Sequence, residues 1–124
     1  MQTQDQKRAK DAYDKVKELS PDRQSKFKTL ALKFPSMVLQ CGVLQGLAFQ
    51  QKENKGIFRE LDDWLCNKSD LAWGGIQRKN IVDRLCDKKM DISRYRLITR
   101  EAVAYGTWLK RAAEVLLREV RTEN

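Results

Sequence analysis

Hydrophobic residues recur every three or four positions along most of this chain, which is the spacing of one face of an α-helix. The clearest run lies near the end and comprises Tyr95, Ile98, Ala102, Tyr105, Leu109, Ala112 and Leu116. A neighbouring run holds Leu97, Ala104, Trp108 and Val115. The pattern predicts a long amphipathic C-terminal helix of about 25–28 residues, with Asp91 or Ser93 as its capping residue.

Shorter helical patterns fill the rest of the chain. The stripe of a first helix comprises Ala9, Ala12, Tyr13, Val16 and Leu19, and Ser20-Pro21 indicates the start of a second helix. Pro35 is expected to begin a third helix, and apolar residues surround its axis between positions 37 and 49, which predicts a buried central helix. Further helices are predicted around 57–65 and 81–86, with a break at Gly74-Gly75.

Length and composition favour a single all-α domain over residues 1–124. The chain has 124 residues, of which 41% are hydrophobic and 34% charged, a globular rather than a disordered balance. Two prolines and six glycines are too few for a turn-rich β fold. We therefore expect a compact bundle of about six helices. No apolar run reaches the ~18 residues of a membrane span, and the first ten residues lack the apolar core of an export signal, so we expect no membrane contact and a cytoplasmic location.

The chain contains no histidine, which excludes Ser-His-Asp and Cys-His sites, His-ligated metals and the commonest general base. Cys41, Cys66 and Cys86 are too far apart for a CxxC pair and are interpreted as reduced, buried thiols. A nuclease using Asp62 and Asp63 stays an alternative, although adjacent helix residues point in different directions. The sequence thus favours a protein without enzymatic activity, metal or cofactor.

The charge balance is strongly basic, with 25 Lys and Arg against 17 Asp and Glu and a net charge of +8. Such a balance favours a polyanionic partner. No zinc finger, RNA-recognition aromatic signature or GXXG loop is present, which favours phosphate contact or shape recognition over base readout. Trp73 is expected to anchor its loop to the core or to fill a partner's pocket, with base stacking as the alternative. A free-standing helical DNA-binding regulator is the competing function, although no clear helix-turn-helix pair is found.

Three stretches, in order along the chain, carry a resemblance to a known family. The final helix contains Tyr95-Arg96-Leu97-Ile98-Thr99-Arg100-Glu101-Ala102 and Trp108-Leu109-Lys110-Arg111-Ala112-Ala113. The middle contributes Phe34-Pro35, Gln40, Gly42, Gln45 and Leu47-Ala48-Phe49, and the start contributes Arg8-Ala9, Ala12 and Val16. Together they resemble the small, all-α subunit of type III-B CRISPR effector complexes, the Cmr small subunit. The chain departs from the family's Leu-Pro and Asn-Gly-Leu steps at Phe34 and Cys41, which weakens a binding role there.

The resemblance implies a non-catalytic subunit of an RNA-guided antiviral complex. Such subunits stack in a short file, face the RAMP backbone subunits and meet the large Palm-domain subunit at one end. They line the groove in which target RNA pairs with guide RNA. The resemblance carries a phosphate-binding role over to Arg96, Arg100, Lys110 and Arg111. The basic cluster of Lys7, Arg8 and Lys10 in the first helix is a second candidate set for RNA contact.

Overall fold

The computed structural model describes residues 1–123 and is all-α over that range, as the periodicity predicts. Six α-helices follow one another, and a short π-helical segment continues the fourth. They are α1 (Gln4–Lys17), α2 (Pro21–Cys41), α3 (Val43–Lys52), α4 (Phe58–Asp63), the π-helical segment (Trp64–Lys68), α5 (Ile81–Leu85) and α6 (Ile92–Leu116). No helix in the described residues is long and apolar enough to cross a bilayer.

Helix α2 passes through Pro35, so the prediction that Pro35 begins a new helix is wrong. The proline removes one backbone hydrogen bond, but a buried stripe on both sides of it keeps the helix continuous. That stripe comprises Phe27, Leu30, Ala31, Phe34 and Val38. The break comes at Gly42, whose φ of 88° is in the left-handed region that glycine adopts without strain.

The predicted buried central helix between positions 37 and 49 is therefore split between the end of α2 and the start of α3. Each part buries only one side, and Leu39 is 80% exposed. Two of the cysteines, Cys41 and Cys86, are also exposed rather than buried. An apolar run interrupted by Gly42 turns its two halves toward different neighbours, so it does not make one fully buried helix.

Helix α6 is the longest helix, with 25 residues, and it packs along both α1 and α2. Its predicted start is confirmed, because the Asp91 side chain accepts a hydrogen bond from the backbone N–H of Arg94 at 2.8 Å. Contact with α2 is close at Gly106, where an added Cβ would lie 2.6 Å from the ring of Phe34. The predicted core stripe is buried from Ile98 to Ala112. Helix α6 thus packs against the rest of the bundle with one face and leaves the opposite face exposed to solvent.

The segment between the π-helical segment and α5 is held to the body by two arginines. Arg94 Nε donates to the carbonyl of Ala72 at 3.0 Å, and the Arg84 guanidinium lies 4.8 Å from the centre of the Trp73 ring. Ile76 is buried, and its N–H donates to the carbonyl of Trp73 at 3.0 Å. These contacts agree with the prediction that Trp73 anchors its loop.

Candidate nucleic-acid interface

The four basic residues predicted on the final helix lie on the side of α6 that faces away from the core. At about 100° per residue, Arg96, Arg100, Lys110 and Arg111 fall in a sector of about 100°, nearly opposite the buried stripe. Arg96, Arg100 and Arg111 are exposed, and Lys110 is half-buried. Arg96 and Lys110 are about 21 Å apart along the helix axis at 1.5 Å per residue. This surface, called the basic face below, is long enough to follow a nucleic-acid backbone.

The cations of the basic face form no ion pair within residues 1–123. Among the described residues, none of its four members lies within 4.0 Å of a carboxylate oxygen. Arg111 instead places its guanidinium 5.2 Å from the centre of the Trp108 ring, a cation–π contact that leaves its N–H groups available. Unpaired guanidinium and ammonium groups in this arrangement suit phosphate oxygens.

The second candidate set, in α1, divides into exposed lysines and a partly buried arginine. Lys7 is exposed, and Lys10 makes an exposed pair with Asp14 at 3.0 Å, of a kind that contributes little to stability. Arg8 is different, because it donates to both carboxylate oxygens of Glu101, at 2.7 and 2.8 Å, and to Asp5 at 2.9 Å. Its side chain is 17% exposed. These contacts give Arg8 a structural role in joining α1 to α6, and it has few donors left for a phosphate.

Glu101 connects that arginine to the π-helical segment. The indole N–H of Trp64 donates to Glu101 Oε2 at 2.8 Å, and the Trp64 ring stacks on Tyr105 with centres 4.8 Å apart. Burial acts to raise the pKa of Glu101, but the hydrogen bonds from Arg8 and Trp64 outweigh it and hold that pKa below its usual range. Glu101 is thus kept as a carboxylate and serves the helix contact.

A second charged cluster lies beside it, where α1 meets the π-helical segment. Lys15 is 2.8 Å from Asp11 and 3.0 Å from Asp63, and Lys68 is 3.2 Å from both carboxylates. The Tyr105 hydroxyl donates to Asp11 at 2.5 Å. Burial acts to raise the pKa of Asp63, but hydrogen bonds from Asn67 and Lys15 lower it overall to about 2. The cluster balances its own charges and is structural.

The nuclease alternative is not supported by the surroundings of its two aspartates. Asp62 accepts a hydrogen bond from the backbone N–H of Ile81 at 2.7 Å, whereas Asp63 turns to the lysines of the cluster just described. Over residues 1–123, no group of three or more Cys, Asp or Glu is placed to hold a metal ion. The two carboxylates therefore serve separate structural contacts.

Sequence patterns alone miss two features of this region. The contacts among Arg8, Glu101 and Trp64 join residues up to 93 positions apart, so no local spacing indicates them. The spacing of the apolar residues of α6 suits either a helix seam or core packing, and the neighbouring run is largely exposed, with Leu97 53% and Val115 50% exposed. The one signal in the sequence that separates this exposed run from the buried stripe is its different angular position around the helix.

Comparison with known proteins identifies the chain. The family model described as CRISPR-associated protein (Cas_Cmr5) matches residues 4–116. The chain belongs to the Cmr5 family. A Cmr5 relative, the CRISPR system Cmr subunit Cmr5 of Thermus thermophilus, is 30% identical over 122 residues, covering 96% of this chain and 100% of that protein.

The fold agrees with that of a solved Cmr5 protein. The X-ray crystal structure of a CRISPR-associated Cmr5 family protein from Thermus thermophilus superposes with a TM-score of 0.70 at 29% identity, covering 94% of this chain and 99% of that one. Family membership confirms the resemblance: the chain is a small subunit of a type III-B Cmr complex and associates with other Cmr components. The DNA-binding regulator is correspondingly not favoured.

Proposed function

We propose that this Cmr5 chain is a non-catalytic subunit that helps to hold target RNA paired with guide RNA, through contacts that do not read sequence. The observation that carries the proposal is the basic face of α6, whose four cations are unpaired within the described residues. Phosphate contacts position a protein along a nucleic acid without specifying bases. Specificity then comes from pairing between guide and target, a division of labour known in another RNA-guided nuclease.

The proposed assembly rests on membership of the Cmr5 family and not on the geometry of α6. Copies of the chain stack in a short file within the cytoplasm, beside the RAMP backbone subunits and with one end against the large Palm-domain subunit. A head-to-tail file is a heterologous contact that does not close on itself, so other subunits must end it. The basic faces of successive copies then form one track for RNA. Lys7 and Lys10 are secondary contacts, and Arg8 is left out because its guanidinium is taken by Glu101 and Asp5.

The test measures how target-RNA affinity of the reconstituted complex depends on salt. Replacing all four residues of the basic face by alanine removes phosphate contacts, each of which changes the slope of log affinity against log salt by about 0.7 on a single strand. We expect the slope to become shallower by about 2.8 when all four contacts are lost. The measurement is a titration of labelled target RNA at several salt concentrations.

A matched control removes the same charge from other helices and loops. The control variant carries alanine at four exposed lysines, Lys17, Lys33, Lys79 and Lys88. Its slope should stay close to that of the unmodified complex, which separates local phosphate contact from net charge. Equal slopes for the basic-face variant and the unmodified complex would contradict the proposed RNA contact.

A further inference from the structure

An apolar stripe runs along α6 directly beside the basic face. We call it the outer stripe, and it consists of Leu97, Ala104, Trp108 and Val115. Leu97 is 53% and Val115 50% exposed, while Ala104 and Trp108 are half-buried. The four residues fall within about 40° of the helix circumference at 100° per residue. Spacings of seven, four and seven residues are those of a helix seam that meets another helix.

The N-terminal half of the outer stripe forms one wall of a groove. The groove has a volume of about 680 Å³, with Leu97 and Ala104 on α6 facing Leu71 and Ala72 of the loop that precedes α5. Arg94 and the backbone of Ala72 hold that loop in place through the hydrogen bond described above. Charged residues of both signs complete the lining, namely Arg8, Asp70, Asp91, Arg94, Arg100 and Glu101. The groove therefore combines apolar side chains with charges of both signs, and beside an exposed stripe it can receive apolar side chains of a partner.

Charge around the stripe specifies the chemistry of that partner. Arg100 and Arg111 lie on the border between the outer stripe and the basic face, and neither is ion-paired among residues 1–123. Arg111 lies over Trp108, and tryptophan and arginine are the residue types enriched at the energetic centres of interfaces. Carboxylates beside an apolar face would complement this border.

Pairing of the outer stripe with the same stripe of a second copy is unfavourable. Antiparallel pairing of two α6 helices brings the same flank of each together, so Arg100 and Arg111 would meet their own counterparts. Juxtaposed like charges are costly at an interface. Parallel pairing needs the opposite flank, which α1 occupies through Arg8–Glu101 and Asp5–Trp108. RNA is also a poor occupant, because phosphate groups make no favourable contact with the apolar side chains of Leu97 and Val115.

We propose that the outer stripe docks an amphipathic α-helix of another subunit, with apolar residues along one face and carboxylates beside them. The proposal rests on the assembly part of the function proposed above and not on its RNA contacts. Docking there would place a partner subunit next to the RNA track, with the N–H donors of Arg100 and Arg111 shared between its carboxylates and the RNA phosphates.

The first test exchanges the exposed apolar residues for a neutral polar one. In Leu97→Gln/Val115→Gln the charge is unchanged and glutamine is a good helix former, so RNA binding by the isolated chain should be unaltered. Co-assembly with the other Cmr subunits, followed by size-exclusion chromatography, should weaken at least tenfold. The control is Leu39→Gln, because Leu39 is 80% exposed and lies on α2, away from the stripe; it should co-assemble normally.

The second test uses a defined probe. A synthetic three-heptad peptide carries leucine at its seam positions and glutamate at the flanking positions, and its counterpart carries lysine in place of glutamate. Fluorescence anisotropy should detect binding of the glutamate peptide to the full chain. Binding should weaken at least tenfold for the lysine peptide and for Leu97→Gln/Val115→Gln, and it should be unchanged for Leu39→Gln.

Four outcomes overturn the docking proposal. Equal binding of the two peptides, or no loss in Leu97→Gln/Val115→Gln, removes the stripe as an acidic-helix site. Dimerisation of the unmodified chain that this variant abolishes makes a second copy the occupant, and loss of RNA binding in the variant assigns the stripe to RNA. Failure of the unmodified chain to co-assemble contradicts the proposed function instead, and the peptide measurement then decides the docking proposal by itself.

Discussion

The contact between α1 and α6 and the solvent-facing side of α6 both contain arginines, but the surroundings of these arginines differ. On the inner side Arg8 is held by Glu101 and Asp5 at 2.7–2.9 Å, and lysines near Tyr105 are paired with aspartates. On the outer side Arg100 and Arg111 have no carboxylate within ion-pair distance among the described residues. The inner charges join helices, whereas the outer charges are free to meet another molecule.

The difference shows that the number of basic residues is a poor guide to a nucleic-acid surface. Arg8 and Arg100 both belong to basic clusters in the sequence, and only tertiary packing separates them. A buried, paired charge is costly to leave without its partner, whereas an exposed, unpaired charge contributes little to folding. Substitutions on the inner side should therefore lower stability, whereas substitutions on the outer side should weaken RNA binding and leave stability nearly unchanged.

The largest effect on stability is expected from Glu101→Ala. The substitution leaves the Arg8 guanidinium and the Trp64 N–H partly buried without their shared acceptor, which should lower the free energy of unfolding by about 2–4 kcal/mol. Urea unfolding measures the change, with the exposed Glu114→Ala as the control, expected within about 0.5 kcal/mol of the unmodified chain. A loss below about 1 kcal/mol for Glu101→Ala would show that the inner contact is not strongly stabilising.

A smaller effect is expected from acid, through Asp63. Its folded-state pKa of about 2 lies below the ordinary value of 3.8, so the carboxylate stabilises the fold above about pH 4 and this contribution is lost as the pH falls toward 2. Because Asp63 is partly exposed, the contribution is about 1–2 kcal/mol after solvent screening. Asp63→Asn should flatten the fall in stability between about pH 4 and 2, as measured by urea unfolding at a series of pH values. An unchanged profile would mean that the lysines around Asp63 do not shift its pKa.

The smallest effect on stability is expected on the outer side. Arg96→Ala/Arg100→Ala removes two exposed cations that make no ion pair within the described chain, so the free energy of unfolding should change by less than about 0.5 kcal/mol. In the same variant, the slope of log affinity for target RNA against log salt should become shallower by about 1.4. A clear loss of stability in this variant would mean that the outer charges also support the fold, and the contrast between the two sides would not hold.

The sequence predicts those parts of the fold that depend on local pattern. The stripe from Ile98 to Ala112 and the Asp91 cap are confirmed because helix periodicity and capping act within a few residues. The expected break at Pro35 is wrong because burial on both sides of the proline outweighs one lost hydrogen bond. The break is supplied instead by Gly42, through its positive φ.

The candidate site is predictable only in part, for a physical reason. The family resemblance selects Arg96, Arg100, Lys110 and Arg111, and helix spacing adds only that the arginines lie off the main apolar stripe. Helix spacing does not reveal that Arg8 finds Glu101, 93 residues away. Nor does the repeat interval alone distinguish an apolar stripe that packs in the core from one that stays exposed, because both repeat at the same interval.

The three tryptophans lie in three different surroundings. Trp64 is buried against Tyr105, Trp73 lies under Arg84 in the loop before α5, and Trp108 lies on the outer side of α6 under Arg111. Since indole emission depends on the polarity around the ring, the protein carries an optical reporter in its interior, in its loop and on its outer surface. Keeping one tryptophan at a time and replacing the other two by phenylalanine would let unfolding, loop movement and partner docking be followed as separate fluorescence signals.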